Sequence, residues 1–208
     1  MPVPAEPSRI SLRNGIEVEN GLEPVLRFLE AYPGTVAELV SPAAAFGKDD
    51  LRRANRGGAR ISAAEIAAVL ERRDKIERRL REIDPDASLA ARSVPWDALT
   101  HLFDAFGGIR GLGFSKVTKT LHPKRPALIP MLDSVVQAYL EGDDTGGSFG
   151  ERATALVRGY KRDLDGNRAA LRELRRELAA RGYRLTEVRV LDILIWSVGA
   201  QLGWGARR

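Results

Sequence analysis

Residues 106–136 read FGGIRGLGFSKVTKTLHPKRPALIPMLDSVV. From Ala105 to Leu132, 28 residues carry no Asp or Glu, yet Arg110, Lys116, Lys119, Lys124 and Arg125 fall inside the run and Asp133 closes it. The chain has six lysines, and three of them lie between Lys116 and Lys124 in a sequence that otherwise uses arginine as its cation. The positive charge is concentrated at one point of the chain.

The local shape follows from residue types. Leu99, Leu102, Phe103 and Phe106, spaced by three and four, predict a helix over 96–106, with Ser93 and Pro95 as start signals. Gly107 and Gly108 stop it, and a second helix begins near Phe114 with Val117, Thr118 and Leu121 inward. Residues 109–113 then form a short turn in which Gly111 and Gly113 permit positive φ and remove side chains. The first free N–H groups of the second helix, Ser115, and the cations Lys116 and Lys119 together predict a site for a backbone phosphate of DNA or RNA.

The run from Ile109 to Leu121 resembles a helix-hairpin-helix, and PMLDSVV, residues 130–136, resembles the segment that carries the catalytic aspartate in the helix-hairpin-helix DNA glycosylases. The order also agrees: hairpin, second helix, proline-bounded apolar connector, then Asp133, 18 residues beyond Ser115. The resemblance implies an all-α bundle built around the hairpin. It makes Gly111, Gly113 and Ser115 the phosphate grip, with Lys116, Lys119, Lys124 and Arg125 as accompanying DNA-binding cations. Asp133 would be the acid that stabilises positive charge at the sugar while a modified base departs. Ser115 stands where bifunctional members carry a Schiff-base lysine, so the implied activity is monofunctional, without strand-cleaving lyase chemistry. Val135 stands where some members carry His. With no cysteine in the chain, the iron–sulfur subgroup is excluded.

The residues also admit plainer readings. GLGFSK is neither a dinucleotide fingerprint nor a Walker loop. Asp133 is placed to cap the helix 134–140 through a backbone N–H, a role compatible with catalysis but sufficient without it. Lys124 and Arg125 can belong to a solvated loop. A non-catalytic DNA-binding module, with the hairpin gripping phosphate and Asp133 only a cap, is therefore the alternative to an enzyme.

The whole chain has 208 residues, a formal charge of +5 and 44% hydrophobic residues, enough for a sizeable core and mildly biased toward a polyanion partner. His101 and His122 alone make a poor metal site, thiolate sites are excluded, and no cofactor is implied. No apolar run approaches the length of a membrane span, and MPVPAEPSRIS lacks a signal-peptide core, so the expected compartment is cytoplasmic. The expected partner is duplex DNA held through its phosphates, with the oligomeric state open.

Three prolines and few apolar residues predict an N-terminal arm over 1–19 that packs late onto the body; residues 20–208 form one all-α domain, with room for two helical lobes meeting near 84–95. A short amphipathic helix runs from Leu22 to about Tyr32, Val36 to Val40 supply a further helical turn, and Asp49 to Arg53 a brief helix. The capping box Ser62–Glu65 opens the longest early helix, whose stripe Ile66, Val69, Leu70, Ile76, Leu80, Ile83 reaches Ile83. Helices follow over 149–164, over 168–181 with Asn167 as N-cap, and over 186–200; the last is apolar nearly all round and therefore central. Asp192 interrupts it, with Arg189 as the nearest local partner. Trp196 and Trp204 read as packing residues, and Trp96, Phe103, Tyr139 and Asp192 as guesses for a base pocket.

Overall fold

The computed structural model describes residues 9–33, 41 and 43–205. Val36 to Val40, read as a helical turn, lie outside the described residues, as does the start of the arm. The architecture is helical: α1 Leu22–Ala31, α2 Lys48–Arg56, α3 Ala63–Leu70, α4 Arg73–Arg81, α5 Trp96–Asp104, α6 Phe114–Leu121, α7 Ser134–Tyr139, α8 Phe149–Gly166, α9 Arg168–Ala180 and α10 Glu187–Leu202. The strands β1 Ile10–Ser11 and β2 Glu17–Val18 pair antiparallel, Ile10 opposite Val18 and Ser11 opposite Glu17.

α10 is the central element. Val188, Val190, Leu191, Ile193, Leu194 and Ile195 are all buried, so apolar residues face inward all round it. Each such side chain contributes about 1.5–3 kcal/mol relative to exposure. Thr186 starts this helix by accepting from Arg189 N–H (3.1 Å), and α1, α7 and α9 pack around it. The densest helix pair is α5 against α8. It depends on Gly150, where a Cβ would lie 2.3 Å from Thr100 O. α2 lies on α6, and α4 on α5. One continuous core runs from Ile10 to Ile195.

The predicted helix 62–83 is two helices. The capping box forms as expected, with Ser62 N–H donating to Glu65 Oε2 (2.7 Å), but the chain turns at Arg72 (φ −100°, ψ 8°). The Arg72 guanidinium there donates to Ala105 O (3.2 Å) and Gly107 O (2.5 Å), the open carbonyls at the end of α5. The break in one helix thus supplies the C-terminal cap of another.

The arm, where described, is a docked hairpin. Ile10 and Leu12 are buried. Asn167 pairs with both polar groups of Ser11, accepting from its N–H (2.7 Å) and donating to its carbonyl (2.8 Å). That side chain therefore does not cap α9, although Asn167 occupies the N-cap position. Arg13 reaches across the molecule to Asp163 (2.7 Å) and Asp143. Between α7 and α8 an exposed loop runs out to Gly146 and Gly147, both at positive φ.

Candidate functional site

α5 and α6 are joined by a turn over 105–113 in which Gly108 (φ 75°) and Gly111 (φ 83°) take the left-handed region, while Gly113, expected to do so, is extended (φ −91°). Gly111 and Gly113 are exposed and Ser115 half-buried. Gly113 sits at the N-cap of α6 and has no side chain to satisfy the first N–H groups.

The cations differ from expectation. Lys116 Nζ donates to both carboxylate oxygens of Glu65 (2.7 and 2.9 Å) and to Gly111 O (3.0 Å), tying the turn to α3. Burial alone would raise the Glu65 carboxyl, but the Lys116 ammonium and the Ser62 N–H outweigh it and hold the pKa below its ordinary value. Lys124 is 2% exposed, and its ammonium pairs with Asp50 (2.8 Å) and donates to Ala45 O (2.7 Å). Arg125 is 1% exposed and donates to Leu80 O and Ile83 O (2.7 Å each) and to Lys124 O (2.7 Å), closing the end of α4. Neither the solvated loop nor the phosphate contact expected of these two residues is correct: both charges are enclosed by carbonyls and a carboxylate. Lys119 turns the other way, into a cleft.

That cleft holds about 680 Å³ between α1, α2, α6 and α10. One wall is aromatic: Phe28 lies 4.9 Å from Tyr32 and 5.1 Å from Trp196, and Tyr32 and Trp196 stand edge to face at 5.5 Å. Four cations line the rest, Arg53, Arg56, Lys119 and Arg189, with Asp133 and Asp192 the acids among the described residues. Burial holds the Lys119 ammonium below its ordinary pKa, Asp133 opposing and Arg189 and Arg60 adding to the shift.

Asp133 caps α7. Its Oδ1 accepts from the N–H groups of Val135 and Val136 (3.0 Å each), which leaves Oδ2 without a protein partner among the described residues. Asp192 lies deeper, 2% exposed, with Oδ2 accepting from Met131 N–H (3.1 Å). Arg189 is not its hydrogen-bond partner. Burial pushes the Asp192 carboxyl up to about 8 against the pull of Arg189, so the group is mostly protonated at neutral pH. The neighbouring Tyr160 hydroxyl donates to Val188 O (2.6 Å). His122 is enclosed and kept neutral, its pKa brought down to about 4 by burial and by Arg189, so that Nδ1–H donates to Ile129 O (2.6 Å).

The structure therefore joins Lys119 and Asp133 in one cleft, keeps Gly111, Gly113 and Ser115 at the hairpin surface, and takes Lys124 and Arg125 inside. Of the four residues guessed for a pocket, Asp192 alone lines it. Trp96 carries the Arg158 guanidinium (4.2 Å), Phe103 is core, and Tyr139 accepts from Arg13 N–H (3.2 Å). Trp196, read as packing, stands on the cleft wall. Phe28, Tyr32, Arg53 and Arg189 were missed; the one signal for them was an aromatic pair at i, i+4 on α1.

The chain belongs to a family of unknown function (DUF6308), which matches residues 40–199. The match takes in Lys119, Asp133, Arg189 and Trp196 but not α1, which brings Phe28 and Tyr32. No curated protein and no solved structure matches the chain significantly.

Proposed function

We propose that the protein binds DNA and excises a modified base as a monofunctional glycosylase, in the manner its resemblance to the helix-hairpin-helix enzymes implies. One observation carries this reading: the free oxygen of Asp133, downstream of the hairpin, shares a cleft with the aromatic wall of Phe28, Tyr32 and Trp196. A flipped nucleotide would stack on that wall, and the backbone grip and stacking together would offset the few kcal/mol, roughly, that flipping costs. Asp133 Oδ2 would face the sugar as positive charge develops at C1′, an electrostatic role for an acid already held in place by two amide hydrogen bonds. Arg56, exposed and lining the cleft, and Arg60, exposed and acting on Lys119, would with the turn amides take the flanking phosphates.

The test is mass-spectrometric detection of bases released from alkylated, deaminated and oxidised duplex DNA by the native chain and by Asp133→Asn. Release from the native chain that the variant loses supports excision; equal release from both ends the role of Asp133. The second reading, a non-catalytic binding module, draws on the internal pairing of Lys116 and the capping by Asp133, and expects salt-sensitive DNA binding with no base released.

A further inference from the structure

Arg189 lines the cleft without an ion pair among the described residues; the Asp192 carboxyl three residues on feels its charge but is kept mostly protonated by burial. Arg189 is 7% exposed and, among the described residues, has only Met131 Sδ at 3.6 Å as a weak acceptor. Its guanidinium lies 5.4 Å from the Phe28 ring centroid, so the cation–π position on that part of the wall is already filled. Desolvating an arginine without a partner is costly, and such a group gains most from an anion that arrives in the same low-dielectric space. The other charged groups that line the cleft are mostly cations, Asp133 and the raised Asp192 being the acids among the described residues. Arg53, Arg56 and Lys119 are cations, Arg53 with its Asp50 contact stretched to 3.9 Å; His122 is neutral, and Asp133 lies across the cleft as the capping carboxylate of α7.

We propose that Arg189 makes this cleft a site for a flat anion, a planar ring with negative charge on its edge, stacked on Trp196 with that edge against the guanidinium. The anion site stands on the cleft alone; its use rests on the excision reading, where it names the leaving group. When the C1′–N bond breaks, its electron pair goes to the base. Water supplies hydroxyl to C1′, and the remaining water proton ends on the released base. A base with carbonyl groups, such as a deaminated or oxidised one, departs as an anion whose charge reaches a ring oxygen, where Arg189 can donate to it. A cationic alkylated base meets like charge in the same position.

Calorimetric titration of the intact chain at neutral pH with orotate (a planar anion), uracil and 1-methylnicotinamide (a planar permanent cation) tests the site. Orotate is expected to bind tightest and the cation weakest. Arg189→Met should lower orotate affinity tenfold or more, Arg189→Lys should recover part of it, and Asp133→Asn should tighten it; melting curves verify that each variant is folded. Equal affinity for cation and anion, absence of orotate binding, or unchanged orotate binding in a folded Arg189→Met overturns the proposal. Base release assayed on the same preparations separates the two readings. Orotate bound through Arg189 without release from any DNA keeps the anion site and removes excision, whereas preferential release of alkylated bases without orotate binding keeps excision and removes the anion site.

Discussion

Asp192 and His122 line the cleft with opposite titration behaviour. The Asp192 carboxyl is raised to about 8, so its contribution to stability is full below its unfolded value near 4 and is lost as pH rises through 8. The His122 pKa is depressed to about 4, so its contribution is present above 6.5 and is lost as pH falls toward 4. In Asp192→Asn the amide oxygen can still accept from Met131 N–H. Urea unfolding at pH 6 and pH 8 should then show a loss for the native chain, on the order of 2 kcal/mol, that the variant lacks; parallel curves would place the Asp192 pKa elsewhere. At Asp133 the expected outcomes divide by chemistry. Asn caps a helix as well as Asp and should keep the native melting temperature, whereas Ala should cost about 1 kcal/mol. Sequence reading places Asp133 correctly because a cap is a local signal. It misplaces Lys124 and Arg125 because the groups that enclose them, Asp50 and the carbonyls at the end of α4, lie some 40 to 75 residues away along the chain.

Helix positions from α5 to α10 agree with the sequence to within a residue or two, since each has an apolar stripe and half begin at a side-chain cap. The exception is the α3–α4 break, where the apolar stripe skips from Leu70 to Ile76 but resumes on the same face, and the deciding contact is tertiary. Arg72→Ala should uncap α5 and lower stability by about 1 kcal/mol or more in thermal melts, with the helical signal at low temperature nearly unchanged. The turn before α6 is more demanding. Gly111 has φ 83°, and a Cβ there would lie 2.4 Å from Glu65 Oε1, which Lys116 holds in place. Gly111→Ala is therefore expected to cost about 1–2 kcal/mol, from the backbone conformation and the displaced ion pair together. A neutral effect in melting experiments would mean that Glu65 is not pinned.

The cleft gathers residues from α1, α2, α6 and α10, helices separated by most of the chain, and no local pattern announces such a surface. The sequence concentrates its lysines in the 105–132 run, but Lys116, Lys124 and Arg125 there are engaged internally. Few phosphates can then be neutralised. Fluorescence anisotropy of labelled duplex between 50 and 300 mM salt should give a log–log slope of only about −2 to −4, and a much steeper slope would require cations other than these. The loop that carries Gly146 and Gly147 into solvent lies between α7 and α8, and α8 packs closely on α5, on the other side of it, through Gly150. A chain cut between those two glycines would leave fragments that share one core, and separately produced pieces 1–146 and 147–208 should find each other and elute together. Asp133 would lie on the first piece and Arg189 with Trp196 on the second, so the molecule can be made as a complementing pair whose cleft exists only after the halves meet.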